Sequence, residues 1–501
     1  MAKPRGILGQ AGPLLLGRLG ATVLGFALPL ILTRLLPQSE FGTYKQVWLV
    51  VTTGFFMLQL GIAQSLYYFV PRKDGREQAW LTQSIGAMAF LGSLCAAAIY
   101  LGRFRIAAQF ANPEIASFGA PMALIALTMI LTAPLEITLT AEGNVKAAAW
   151  IIFLSDALRV TCSVVPLLMG WGLQGFFWAY VVHGVLRTVA TSVLLFRRGA
   201  PQWDWTLFRR QLVYALPFGA AILLDVPQKT FHQWAVGWSV DPAMFAIYAQ
   251  GCFQLPIVNL LYSPISDVLQ VRMAEPGSRQ HHLHLFHDAN QRLAAVFFPF
   301  TCGMVAAGAL FIPALFTHRY DASIPIFRIA VLTTPFACLP LEGVMRALGR
   351  TRYLFNIFFW KLLVTVPAVL LGLKLFGMAG AIAGHGIAES AIRVAMLNRT
   401  RKELNSTWAE ILPWRHLALL GATSLVACVP VVIISHYTAA GTRPFLALCA
   451  SGAAYAAVYL ACLGFTPGSG TPVAKIKRIL LGVGLPQEPA ISAPSQAAVA
   501  A

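Results

Sequence analysis

Asp225, Lys229 and His232 follow one another at i, i+4 and i+7, a spacing that sets a carboxylate, an ammonium and an imidazole on one helix face. The surrounding stretch is apolar. An ionised side chain at the centre of a bilayer costs roughly 2.5–3.5 kcal/mol on insertion scales, so charges kept at such depth are functional candidates. Lys229 and His232 offer positive or hydrogen-bonding groups to an anion, and Asp225 can carry a proton or Na⁺. The plain alternative is an Asp225–Lys229 pair that neutralises itself. Pro227 lies between them and is expected to break the helix, which would free backbone groups to line a water-filled cavity.

Other charges recur in apolar surroundings. Asp156 and Arg159, three residues apart, read as a buried pair. His183 and Arg187 match Glu389 and Arg393 at an offset of 206 residues, and His385 extends the second stripe by one turn. Matched stripes can be matched sites, although hydrogen bonding within each half is the simpler expectation. Lys361 has no evident local partner, which leaves a binding role open to it. The cluster His281, His282, His284 and His287 has no cysteine beside it and reads as a solvated loop, so no metal site is expected. Gly-rich phosphate loops, HExxH and GxSxG are absent from the sequence, and no carboxylate pair sits in a soluble stretch. A non-enzyme without a cofactor is therefore expected. With no nucleotide-binding domain, any work the chain does must draw on H⁺, Na⁺, the membrane potential or a substrate gradient.

The elements that hold these residues are long and apolar. Of 501 residues 57% are hydrophobic and 11% charged, whereas a soluble chain carries roughly a quarter charged residues. Stretches of about twenty apolar residues recur along the chain, each able to cross a hydrocarbon core about 30 Å thick. Backbone groups in lipid must be satisfied locally, so these are helices. Fourteen are expected, near 12–33, 44–68, 80–101, 116–140, 147–169, 173–196, 212–238, 243–267, 293–316, 323–346, 354–374, 378–397, 414–436 and 444–465. The net charge of +18 does not imply nucleic acid, because Lys and Arg are heavily biased to the loops on one side of these spans. The positive-inside rule then sets both termini in the cytoplasm and the chain in the inner membrane, with anionic lipids as partners. All eight cysteines fall within expected spans and read as packing residues.

An internal repeat organises the spans. At an offset of 204, Phe41-Gly42-Thr43-Tyr44 falls on Phe245-Ala246-Ile247-Tyr248; at 206, Pro134-Leu135-Glu136 falls on Pro340-Leu341-Glu342 and Ala141-x-Gly143 on Ala347-x-Gly349. The repeated Pro-Leu-Glu suggests a shared turn. Six spans per copy return the chain to its starting side, so the copies are parallel, an arrangement transporters use. The expected all-α architecture has a six-helix lobe over 1–196, a cytoplasmic amphipathic linker over 197–211, a second six-helix lobe over 212–400, two further spans over 401–466, and a basic then disordered tail over 467–501.

The run from Gly25 to Tyr44, with Arg34-Leu35-Leu36-Pro37 and Phe41-Gly42-Thr43-Tyr44, resembles the opening of the polysaccharide-transporter or O-antigen flippases of the multidrug/oligosaccharidyl-lipid/polysaccharide exporter superfamily. Gln59-Leu60-Gly61 and the turn from Asp241 to Tyr248 resemble their later motifs; Ala246 stands where the first copy has Gly42. The resemblance implies alternating access between two lobes and translocation of an undecaprenyl-pyrophosphate-linked oligosaccharide, a polysaccharide, exopolysaccharide or lipopolysaccharide precursor. Glycosyltransferases and a polysaccharide polymerase are the partners it implies. Arg18, on the first span where relatives tend to keep arginine, would offer forked donors to phosphate oxygens, unless it snorkels to the nearby membrane surface. Arg18, Lys229, His232 and Lys361 are then the substrate-binding candidates and Asp225 the coupling-ion residue. A multidrug antiporter of the same superfamily and a membrane-embedded glycan polymerase or ligase are the alternatives. The first should keep its cavity free of fixed positive charge, and the second should carry long external loops.

Overall fold

The computed structural model describes residue 20 and residues 23–72, 75–197, 199–253, 257–438 and 444–465. Arg18, the start of the first expected span and the expected tail lie outside them. Among the described residues every regular element is helical. In chain order the α-helices are α1 (Val23–Leu35), α2 (Gln38–Leu58), α3 (Ile62–Phe69), α4 (Glu77–Gln109), α5 (Glu114–Ser117), α6 (Gly119–Ala141), α7 (Val145–Leu168), α8 (Gly172–Phe196), α9 (Trp205–Gly237), α10 (Pro242–Gly251), α11 (Ile257–Ala274), α12 (Arg279–Phe316), α13 (Ile324–Val331), α14 (Leu341–Ala347), α15 (Thr351–Glu403), α16 (Trp408–Ile411), α17 (Trp414–Thr438) and α18 (Pro444–Phe465). Among the described residues ten helices are long and apolar enough to cross a membrane, or eleven when the bent pair of α2 and the stretch that begins with α3 counts as one span. The expected polytopic all-α fold is the observed one, and the order of the expected spans is kept.

The chain divides into two compact units. The first is Met1–Pro256 with Gly308–Thr333 and Arg350–Met396; the second is Ile257–Ala307 with Thr334–Gly349 and Leu397–Ala501.

In the first unit, the span expected over 44–68 is not straight. α2 and the stretch that begins with α3 meet at 45° across Gln59-Leu60-Gly61, where Leu60 and Gly61 take positive φ of 45° and 72°. A side chain at Gly61 would crowd the Ala215 carbonyl of α9, and one at Gly219 the Leu60 carbonyl, so α9 passes the break at backbone distance. α9 itself runs unbroken through Pro217 and Pro227. The expected break at Pro227 does not form: the helix continues on both sides of the one missing N–H.

The two copies of the Phe-x-x-Tyr motif pack on each other. A Cβ at Gly42 of α2 would sit 1.7 Å from the Pro242 carbonyl oxygen at the start of α10. Phe41, Tyr44, Phe245 and Tyr248 are all buried. Away from this core, α4 exposes Phe90, Leu101 and Phe104, and α7 exposes Trp150 and Leu154, as lipid-facing surfaces require. The described part of the linker is an extended strap on α4: Gln78 donates to the Gly199 carbonyl at 3.0 Å and Gln83 to the Asp204 carbonyl at 2.8 Å. The Asp204 carboxylate then accepts from the Thr206 and Leu207 amides and starts α9.

α15 is one helix by continuity and two by direction. At Gly377 φ is 61° and ψ −147°, and the chain reverses there. A Cβ at Gly372 would lie 2.1 Å from the Gly380 carbonyl oxygen, and one at Gly384 2.2 Å from that of Ala368. The two legs therefore run antiparallel with their backbones nearly touching, as the expected spans at 354–374 and 378–397 require.

In the second unit, Tyr455 and Tyr459 of α18 donate to the Ser424 carbonyl of α17 and the Ala295 carbonyl of α12, at 3.2 and 3.3 Å. Tyr262 of α11 donates to the Glu342 carboxylate of α14. The Pro-Leu-Glu repeat does not form the shared turn expected of it. Pro134 lies inside α6, whereas Pro340 precedes the first residue of α14. The expected histidine loop is the first three turns of α12, where His287 hydrogen-bonds the Glu410 carbonyl at 2.8 Å. No group of three metal-ligating side chains occurs among the described residues.

Candidate functional site

All site candidates inside the described residues belong to the first unit. Lys229 Nζ donates to Asp225 Oδ2 at 2.7 Å, with 65% and 38% of the two side chains open. At 1.5 Å per residue Asp225 is about 22 Å along α9 from the basic residue Arg210, well within the thickness of a hydrocarbon core. An open ion pair at that depth requires water or a polar ligand on its outer side, because hydrocarbon would leave both charges unsolvated. The pair is weakly held in the sense that matters for binding: either partner can exchange the other for an ion from solution.

His232 follows on the same helix and is used differently. Its ring is buried, and Nδ1 lies 2.7 Å from the hydroxyl of Tyr248 on α10. Its other neighbour is the ring of His385, with centroids 4.7 Å apart. The three residues that the i, i+4, i+7 spacing groups therefore split into an open pair and a buried imidazole.

Lys361 is not without a partner. It lies on the first leg of α15, buried, and its Nζ reaches Glu389 Oε2 on the second leg at 2.5 Å. Arg393 Nε takes the other oxygen of the same carboxylate at 3.0 Å. Sequence spacing hides the Lys361 contact because the hairpin at Gly377 creates it. His385 sits one turn before Glu389, so the residues Tyr248, His232, His385, Glu389, Lys361 and Arg393 form one continuous polar array across α10, α9 and α15.

A second array links α7 and α8. Arg159 Nε donates to Asp156 Oδ1 at 3.1 Å, and the guanidinium lies 5.7 Å from the centre of the Tyr180 ring. His183 Nε2 lies 3.0 Å from the Ser155 carbonyl oxygen. Arg187 is a turn further on, with its Nε buried and without a hydrogen-bond partner among the described residues. The expected Asp156–Arg159 pair is present, and both members are mostly buried.

Sequence reasoning missed Tyr248 as a polar partner and Tyr180 altogether. For Tyr180 the signal lay in the repeat: offset by 205 residues it falls on His385, as Asp156 falls on Lys361. The repeat keeps a charge at the same place on its fifth span while reversing its sign.

A family model described as "Polysaccharide biosynthesis protein" matches residues 31–325. Among solved structures the chain is similar to a lipid II flippase MurJ in an inward closed conformation, at 12% identity over 93% of this chain and 99% of that one, with a TM-score of 0.69. It is similar to an inward-facing multidrug resistance MATE family transporter of the MOP superfamily, at 14% identity over 77% of this chain and 94% of that one, with a TM-score of 0.62. It is also similar to the Vibrio cholerae MATE transporter VcmN in a bent form, at 15% identity over 79% and 96%, with a TM-score of 0.51. No curated protein matches. At these identities the structural likeness is one of fold.

Proposed function

Since this chain belongs to the polysaccharide biosynthesis protein family, we propose that it is a flippase for an undecaprenyl-pyrophosphate-linked oligosaccharide in the inner membrane, with both termini cytoplasmic. The single observation that carries the reading beyond the family is the open Asp225–Lys229 pair. A pyrophosphate brings more charge to Lys229 than one carboxylate does, so it displaces Asp225 and takes the ammonium. When the headgroup leaves, Asp225 closes on Lys229 again and the emptied site returns neutral. No bond in the substrate is made or broken, so the protein acts as a transporter and not as an enzyme. Alternating access supplies the movement, driven by an ion gradient, the membrane potential or consumption of the glycan on the far side.

The likeness to MATE transporters raises drug antiport as a second reading. A cationic drug would have to approach Asp225 past the ammonium of Lys229, which repels it.

The test is translocation of a fluorescent undecaprenyl-pyrophosphate oligosaccharide in proteoliposomes, read by its loss of access to an external glycosidase. The wild-type protein should protect the glycan within minutes, and Lys229→Ala should slow this at least about tenfold, the loss of a charged contact worth roughly 1.5–3 kcal/mol. Absence of glycan movement, together with uptake of a cationic dye against a proton or Na⁺ gradient, would replace this reading with the antiporter.

A further inference from the structure

From the array centred on His232 and His385 we infer that the driving ion is a proton, and that these two imidazoles share it; the inference rests on the flippase reading above. The site is built. His232 is 4% exposed, and its Nδ1 is 2.7 Å from the Tyr248 hydroxyl. His385 lies 4.7 Å away, ring centre to ring centre, and its Nδ1 is buried with no hydrogen-bond partner among the described residues. That nitrogen is an open place for one proton. Two buried imidazoles so close cannot both be charged, so the pair takes one proton and titrates as a unit.

The groups around the pair suit a site that binds a proton and lets it go. From α10 comes Tyr248, with Cys252 just past its end, from α9 come Asp225 and Lys229, and from the hairpin Lys361, Glu389 and Arg393. α2 brings the uncharged Thr53, which accepts from Trp234 of α9 at 3.2 Å. Two cations on the one carboxylate of Glu389 give that triad a net positive charge before any proton arrives. Glu389 is thereby committed as a counter-ion, and in the empty site Asp225 is paired with Lys229. His232 and His385 have no such counter-ion on the ring, which leaves them able to change charge before the headgroup arrives. Among intramembrane residues, chains of histidine and carboxylate are a recurrent proton route.

The charge change has a mechanical reader. A neutral His232 can accept the Tyr248 hydroxyl proton, whereas an imidazolium must donate to that oxygen, so protonation reverses the hydrogen bond. Tyr248 is buried in α10, whose first residue touches Gly42 of α2 through the Pro242 carbonyl. In one cycle, a proton passes from water on one side to the imidazole pair and then to water on the other, with no covalent change in the glycan.

The experiment uses the same proteoliposomes and glycan with a pH gradient imposed in either direction, and with a K⁺ diffusion potential as a separate drive. The wild-type rate should change several-fold with the direction of the pH gradient, and in His385→Asn the ratio of the two rates should fall to one while the response to the potential persists. A wild-type rate indifferent to the pH gradient, or an undiminished ratio in His385→Asn, overturns the inference. Potentiometric titration of the purified protein in detergent, without glycan, gives an independent reading. The double variant His232→Asn, His385→Asn should take up one proton fewer than wild type on acidification, and equal uptake overturns the inference. If wild type moves no glycan under any drive, the flippase reading fails, and the titration still decides whether the pair holds a proton.

Discussion

Lys361 and Glu389 meet at 2.5 Å between the two legs of α15, and Arg393 completes the carboxylate's coordination from the turn below at 3.0 Å. The triad is asymmetric. Removing Lys361 leaves Glu389 still paired with Arg393, but removing the charge of Glu389 takes the shared carboxylate from both cations at once. Breaking a buried pair from one side costs about 3–5 kcal/mol. Glu389→Gln should therefore lower the thermal unfolding temperature in detergent, followed by fluorescence-detected size exclusion, much further than Lys361→Met. Equal losses would mean that the two cations do not share the carboxylate as drawn.

Gly42 is held by geometry of another kind. Its missing Cβ would lie 1.7 Å from the Pro242 carbonyl oxygen, so Gly42→Ala must push α2 and α10 apart. Overpacking typically costs about 1–3 kcal/mol and sometimes more. Gly25 on α1 has nothing within 4 Å of its Cβ position, and Gly25→Ala should be neutral or stabilising by up to about 1 kcal/mol because alanine gives up less backbone freedom in a helix. The same unfolding assay should show a falling midpoint for the first variant and none for the second.

The two glycines also indicate what can be read from sequence here. Span existence and order follow from apolar length, because lipid enforces helices wherever twenty apolar residues occur in a row. The family resemblance is carried by the segment around Arg34 and Phe41, and the family match covers it. What escaped is tertiary. The bend at Gln59-Leu60-Gly61 is not legible in those three residues, because what packs against it is α9 at Gly219, distant in sequence. Lys361 looked solitary because its partner is 28 residues away across a reversal at a single glycine. Pro227 reads as a break when its missing N–H is taken by itself, whereas α9 continues through it. The Pro-Leu-Glu copies share residues and not conformation: one is helix interior, the other a helix start.

Outside the spans, Glu410 offers a pH-dependent contact in the second unit. The Thr407 amide and hydroxyl, with Arg279 at 2.7 Å, hold its carboxyl below the usual carboxylate range. A depressed folded value means that the stabilisation is present above the unfolded carboxylate range and is lost as pH falls through the folded value. Hydrogen–deuterium exchange over 404–412, corrected for intrinsic rate, should show α16 opening on acidification. Glu410→Gln should already show weakened protection at neutral pH and little further change on acidification. An acid response as steep in that variant as in wild type would assign the opening to another group.

Asp225 and Lys229 call for a test that separates a binding group from a self-neutralising couple. Open pairs contribute about 0–1 kcal/mol, so Asp225→Asn and Lys229→Met should unfold at nearly the wild-type temperature, and any change in glycan flux is then a change in the cycle. Asp225→Asn leaves Lys229 without its competitor, so the glycan should bind more tightly and leave more slowly, which lowers KM and kcat together. The reversed double variant, with Asp225→Lys and Lys229→Asp, keeps the charges adjacent and the helix equally stable. It moves the ammonium one turn, about 6 Å, along α9. If the pair serves only to cancel itself, flux in the reversed variant should match wild type. If Lys229 meets the headgroup, flux should stay as low as in Lys229→Met, because the cation is present but stands a turn away from where the phosphate arrives.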